Sequence, residues 1–299
     1  MAESRAVPRR GSWTIWIAAA RPATLPAAVV PVIVGTAACR GLPRPLAFLA
    51  ALAASLLIQI GTNFANDLFD YLKGADTPAR LGPRRITQAG LASPAAVARA
   101  TALAFGAAAL LGVYLARVSG WPIIAIGTLA ILCSLAYSGG PWPLGYHGLG
   151  DLAVFLFFGL IAVVGSAYVQ TSAIIPRAAA AAVPVGFLVT AILVVNNLRD
   201  IDTDRAAGKR TLAVRLGRTG TRLEYAVLVA GALAAPLALR AAGMVGAWFW
   251  LPWLAAPLAA ALVRTIARAT DGPTLNRALK RTGQLHLLFG LLFAASLAV

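Results

Sequence analysis

Six of the ten acidic residues of this 299-residue chain fall in two short stretches, NFANDLFDYLKGAD (63–76) and NNLRDIDTDRAAGKRTLAVRLG (196–217). In the first, Asn63, Asn66, Asp67 and Asp70 recur at spacings of three and four, which stacks all four on one face of a helix. In the second, Asn196, Asp200 and Asp204 recur every four residues, with Asp202 turned away. Carboxylate and amide oxygens are hard ligands that suit Mg²⁺, an ion that shares its shell between a few carboxylates, waters and phosphate oxygens. A basic run follows each cluster: Lys73, Arg80, Arg84 and Arg85 after the first, Arg205, Lys209, Arg210, Arg215 and Arg218 after the second. Carboxylates alone repel a diphosphate, but bridging divalent ions reverse the sign and Lys or Arg can hold the remaining oxygens. The chemistry implied is capture of a membrane-soluble diphosphate, with metal stabilising diphosphate as a leaving group. His147 and His286 lie outside both clusters, and no phosphate-binding P-loop pattern occurs.

The elements that carry these clusters are apolar. The chain is 60% hydrophobic and only 12% charged, with a mean hydropathy of +0.79. A soluble domain carries about twice that charged fraction, and a membrane span needs about 20 apolar residues. The segmentation predicts an all-α polytopic membrane protein with nine spans, at 13–38, 45–66, 94–116, 121–138, 148–171, 178–199, 222–240, 243–263 and 279–298. The whole chain, 1–299, reads as one transmembrane domain with a short tail at 1–12. The clusters sit about 130 residues apart at the ends of two spans. That suggests two related halves, about 1–140 and 141–299. Arg9 and Arg10 precede the first span without a convincing cleavage site, so no removable signal is expected. Cys39 and Cys133 read as small packing residues.

Charge bias sets the orientation. When loops alternate sides, all 26 Lys and Arg except Arg40, Arg44, Arg117, Arg177 and Arg240 collect on the N-terminal side. The positive-inside rule then places the N-terminus in the cytoplasm and the C-terminus outside, with the acidic clusters toward the cytoplasm. The expected location is a cell inner membrane. The net charge of +16 is accounted for by anionic lipid headgroups, since no nucleic-acid motif accompanies it.

Three further stretches, ARPATLP (20–26), GLGDLAVFLFFG (148–159) and GSAYVQ (165–170), join the two acidic motifs and RLGPRRITQAG (80–90). Together they resemble the UbiA superfamily of intramembrane aromatic prenyltransferases, and within it the 1,4-dihydroxy-2-naphthoate branch of menaquinone biosynthesis. The resemblance implies helices around a lipid-open central cavity capped by the two motif loops. It implies Mg²⁺-dependent transfer of a polyprenyl group from polyprenyl diphosphate to 1,4-dihydroxy-2-naphthoate. The ring carboxylate would leave as CO₂, giving demethylmenaquinone and diphosphate. The family's second motif falls on Asn196, Asp200 and Asp204, and its first on Asn66 and Asp70, with Asp67 beside them. The next acid expected after Asp70 is replaced by Gly74, and Asp76 is the nearest. Enzymes acting on 4-hydroxybenzoate carry a Lys-Arg pair after span four, whereas AYSGGPWPLGYHGLGD (136–151) has no basic residue except His147.

These readings assign roles. Asp67, Asp70, Asp76, Asn66, Asn196, Asp200 and Asp204 are the expected ligands of two Mg²⁺ ions, with Asn63 and Asn197 as further oxygen or orienting groups. Lys73, Arg84, Lys209 and Arg210 are expected to neutralise the diphosphate. Tyr137 and Tyr168 are candidates to stabilise an allylic cation through their π faces. For Arg21, contact with the acceptor carboxylate and snorkelling to the interface stand equally open; Gln88 is a weaker acceptor contact. Asp151 reads as a helix cap. Two alternatives remain: another acceptor on the same fold, such as 4-hydroxybenzoate or homogentisate, and a transporter using intramembrane acids as its site.

Overall fold

The computed structural model describes residues 12–75, 81–82 and 85–299, whose regular elements are all helices, with no strand among them. Arg84 and Asp76 lie outside the described residues. Proline opens several of the long helices at the first helical position, where its missing N–H would have had no partner. This is seen for α3 (Pro45–Leu72), α4 (Pro94–Ser119), α5 (Pro122–Ser138) and α8 (Pro176–Ala206). Ser93 and Thr211 cap α4 and α9 (Leu212–Ala241) by accepting from Ala96 N and Val214 N, each at 3.2 Å.

The first span is broken. Helix α1 (Trp13–Ala19) stops at Arg21, whose φ of 53° lies in the left-handed region, and α2 (Pro26–Ala37) resumes beyond a 3₁₀ turn at Pro22–Thr24. The two pieces, Trp13–Thr24 and Pro26–Ala37, meet at 52°. The fifth span is also interrupted, since α6 (Gly150–Val154) runs through a π-helical segment, Phe155–Ile161, into α7 (Ala162–Thr171). There α8 crosses closely: a Cβ built on Gly159 would lie 2.5 Å from the Cα of Gly186, so only glycine permits the approach. The chain ends in α10 (Ala256–Arg268) and α11 (Gly272–Ala298).

Large apolar side chains cover the outside, with Leu103, Leu110 and Trp121 each at least 75% exposed. An apolar perimeter of this extent on closed backbone hydrogen bonding belongs in lipid. Among the described residues, six helices are long and apolar enough to cross a membrane, and the bent first pair makes seven. The sequence expectation of nine exceeds that count by two segments, both of which form helices. Pro122–Ser138 has only 17 residues, and Gly272–Ala298 carries Arg277, Lys280 and Arg281 near its start. The most buried span is α8. It packs against α9 and α11, while α3 packs against α4 and α5. Both acidic motifs therefore ride at the C-terminal ends of long helices, α3 and α8.

Candidate active site

Between the motif-bearing ends of α3 and α8 lies a polar cavity of about 190 Å³. Asn63, Asn66 and Asp70 reach it from α3, Asn196, Asn197, Asp200 and Asp204 from α8, and Arg21 and Thr24 from the break in the first span. Lys209 and Arg85 enter from the loops that follow each motif. A second, apolar cavity of about 350 Å³ adjoins it among α3, α4, α5 and α7. The two share Thr62, Tyr137, Val154 and Phe158 in their walls. Tyr137 therefore stands at the junction of a charged chamber and a greasy one.

The charges in the polar chamber are tightly paired. Asp70 accepts from Arg85 Nη2 at 3.0 Å on one oxygen and from the Tyr146 hydroxyl at 2.7 Å on the other. Lys209 Nζ lies 3.5 Å from Asp70 and 3.7 Å from Asp204, so one ammonium links the ends of both motif helices. The Tyr146 ring is flanked by Lys209 at 4.5 Å and Lys73 at 5.1 Å from its centroid, which adds cation–π attraction. Arg199 is fully buried and forks onto Asp200 at 2.8 and 2.5 Å, while reaching Asn276 at 2.7 Å and Asn196 at 2.9 Å. Asn66 accepts from Ser138 Oγ at 2.9 Å, and Asn63 donates to Ala20 O at 2.9 Å, tying α3 to the broken span.

Five expected site residues fall elsewhere. Asp67 does not line the cavity: its two carboxylate oxygens accept from Ile86 N and Thr87 N, each at 3.0 Å. Lys73, though near the Tyr146 ring, is not in the cavity wall: it donates to Ser138 O at 2.7 Å and Gly140 O at 3.0 Å, fastening the end of α3 to the turn after α5. Burial pushes its ammonium below the ordinary lysine range, partly offset by the negative charge of Asp70. Arg210 is exposed, its backbone N–H donating to Tyr146 O at 2.8 Å, and Gln88 is half-buried outside the cavity wall. Tyr168 packs with Ala47, Ala50 and Leu115 at the far end of α3. At 1.5 Å per residue that end lies roughly 30 Å from Asp70.

Conversely, Arg85, Tyr146 and Arg199 hold the acids, although their positions in the sequence did not mark them out. Arg85 was visible only as a member of a basic run, and Arg199 only as a residue inside the second acidic stretch. Tyr146 sits in a Gly- and Pro-rich loop with no periodic signal.

Among the described residues no group of three or more His, Cys, Asp or Glu is placed to hold a metal ion. The donor set still fits Mg²⁺, which takes one or two carboxylates and fills its octahedron with waters and phosphate oxygens rather than an all-protein cage. Asp70, Asp200 and Asp204, with the amide oxygens of Asn66 and Asn196, supply that partial shell from two facing helices.

A fold of long apolar helices around a carboxylate-walled chamber defines a membrane-embedded protein with a polar site, and the family model fixes its class. The chain belongs to the UbiA prenyltransferase family, whose model matches residues 28–297. It is therefore a prenyltransferase, and the transporter alternative is set aside. The chain is 39% identical to 1,4-dihydroxy-2-naphthoate octaprenyltransferase of Escherichia coli, covering 93% of each chain. It is 40% identical to the protein of the same name from Mycobacterium tuberculosis, covering 96% of this chain and 98% of that one. The fold is similar to a UbiA homologue from Aeropyrum pernix, with a TM-score of 0.69 at 17% identity over 91% of this chain and 96% of that one. It is also similar to a homologue from Archaeoglobus fulgidus bound to GPP and Mg²⁺, with a TM-score of 0.66 at 14% identity over 95% and 100%.

Proposed function

We propose that this enzyme transfers a polyprenyl group from polyprenyl diphosphate to 1,4-dihydroxy-2-naphthoate with loss of the ring carboxylate, yielding diphosphate, CO₂ and the prenylated naphthalenediol, which is the reduced, quinol form of demethylmenaquinone. The observation that carries the reading is the pair of adjoining cavities, charged and apolar, that meet at Tyr137. The diphosphate head belongs in the first and the polyprenyl tail in the second. The names of its relatives supply the naphthoate acceptor.

Two bound Mg²⁺ ions would supply Lewis-acid stabilisation of the departing diphosphate. Asp70, Asp200 and Asp204, with Asn66 and Asn196, are the residues proposed to hold them. Lys209 and Arg85 already stand in the cavity wall and are proposed to take the remaining diphosphate oxygens. Tyr137 presents its ring where the allylic carbon would ionise, and cation–π attraction there favours the developing charge. Phe157 and Phe158 line the apolar cavity, so its walls exclude the water that would quench such a cation. Arg21 lines the polar cavity and is proposed to bind the acceptor carboxylate, which orients the ring carbon toward the allylic position.

The protein is proposed to lie in the cell inner membrane with its N-terminus in the cytoplasm, its C-terminus outside and the polar chamber at the cytoplasmic end. Membranes containing it, given a polyprenyl diphosphate and the naphthoate, are expected to release diphosphate. Chelation of Mg²⁺ should stop that release and Mg²⁺ should restore it. Release that ignores both chelation and the acceptor would overturn the reading.

A further inference from the structure

Asp67 lies within the first acidic motif, yet its surroundings differ from those of Asp70. Its carboxylate is buried at 3% exposure and both oxygens are occupied by the backbone N–H groups of Ile86 and Thr87, each at 3.0 Å. A carboxylate holding two amides has those lone pairs committed to the loop. The adjacent side chains reinforce the docking: Ile86 is buried in a cluster with Ile15, Phe64 and Leu68. Arg85 immediately precedes the two captured amides, and its guanidinium reaches Asp70 Oδ2 at 3.0 Å, with both side chains 6% exposed. One carboxylate of α3 therefore fixes the loop whose neighbouring residue pairs with the other.

We propose that Asp67 is a positioning residue and not a metal ligand: it clamps residues 85–87 so that Arg85 is delivered to the diphosphate-binding end of the cavity. Arg85, held beside Asp70, is the group proposed to reach a diphosphate oxygen there. A fixed backbone matters because an arginine on a loose loop loses the orientation that its planar fork provides. This inference rests on the diphosphate reading above, and the first readout below is independent of that reading.

The test uses the full-length protein in lipid nanodiscs. Amide hydrogen exchange at Ile86 and Thr87, without metal or substrate, should accelerate about tenfold or more in Asp67→Asn, because an acceptor is replaced by a donor. Exchange there should be unchanged in Asp70→Asn. In kinetics, Asp67→Asn and Arg85→Gln should each raise KM for the diphosphate substrate by about tenfold, and the double variant should be no worse than Arg85→Gln alone. The Mg²⁺ concentration for half-maximal activity should stay within threefold of wild type in Asp67→Asn. Thr87→Pro, which removes one captured N–H and touches no carboxylate, should reproduce the rise in KM if Asp67→Asn inserts poorly. Unchanged exchange in Asp67→Asn would overturn the clamp. A Mg²⁺ requirement raised tenfold in Asp67→Asn would restore Asp67 as a ligand, and additive penalties in the double variant would separate it from Arg85. If the exchange result holds while no variant affects diphosphate kinetics, the diphosphate reading fails and the clamp stands.

Discussion

Replacing Arg199 by methionine removes, among the described residues, the side chain that forks onto the Asp200 carboxylate, and it does so in the most buried span. Arg199 is 1% exposed, and its fork onto Asp200 at 2.8 and 2.5 Å is accompanied by bonds to Asn276 and Asn196. Methionine keeps the apolar stem but leaves the Asp200 carboxylate without a counter-charge. Breaking one partner of a buried ion pair costs about 3–5 kcal/mol. For a chain of this size each kcal/mol corresponds to roughly 2–4 °C in Tm, so the variant should melt at least about 6 °C lower. Arg199→Lys keeps the charge but cannot span Asp200, Asn196 and Asn276 together, and should fall between the two. Thermal unfolding in one detergent, followed by monodispersity after heating at a single scan rate, reads the difference. The double variant Arg199→Met with Asp200→Leu, which removes both charges, should recover part of the loss. A Tm for Arg199→Met within 2 °C of wild type would refute the reasoning, because the pair would then contribute nothing.

Asp70→Ala and Asp200→Ala variants that still insert should lose prenyl transfer by about 100-fold or more, since each removes a proposed ligand of the diphosphate-bound metal; product formation by chromatography checks this. Gly165 lines the apolar cavity, and a Cβ built there would meet only Ile126, at 3.7 and 3.8 Å. Gly165→Phe should therefore fold and shift the products toward shorter tails when short and long polyprenyl diphosphates compete, as read by mass spectrometry. Asp271 caps α11 by accepting from Thr274 N at 2.8 Å, and that bond holds its carboxyl below the ordinary value of 3.8. A depressed carboxyl stabilises the fold fully above its unfolded value, and the contribution is lost as pH falls through the lowered one. Thr274 amide exchange should thus gain an extra acceleration below pH 3.8 in wild type that is absent in Asp271→Asn.

The sequence made the chemistry more legible than its support. Asp70, Asp200 and Asp204 stand out because a period of three or four at the end of an apolar run has few structural uses in a membrane. Asp67 shares that periodic face, but it is read differently in three dimensions because a loop about 20 residues downstream folds back onto it. Arg85 and Tyr146 could not be picked out, since each meets Asp70 through a loop whose path depends on how the whole bundle packs. Tyr168 shows the opposite case: its aromatic ring suited a cation, but helix direction packs it with Ala47, Ala50 and Leu115 at the far end of α3 from Asp70. The break in the first span is not what the single segment 13–38 predicts; Pro22 opens the turn and Pro26 the second helix, and the two pieces meet at 52°. Helix existence followed from apolar runs: all nine expected segments are helical, and among the described residues seven of them are also long and apolar enough to cross a membrane.

The most direct measurement of the central claim is a competition. Membranes holding the enzyme, with Mg²⁺ and one polyprenyl diphosphate, are given equal amounts of carboxyl-labelled 1,4-dihydroxy-2-naphthoate and 4-hydroxybenzoate. The account expects a prenylated naphthalenediol lacking the carboxyl carbon, with the label recovered as CO₂ in equal amount and 4-hydroxybenzoate unchanged. Prenylated 4-hydroxybenzoate as the main product, or a prenylated naphthoate that retains its label, would contradict it.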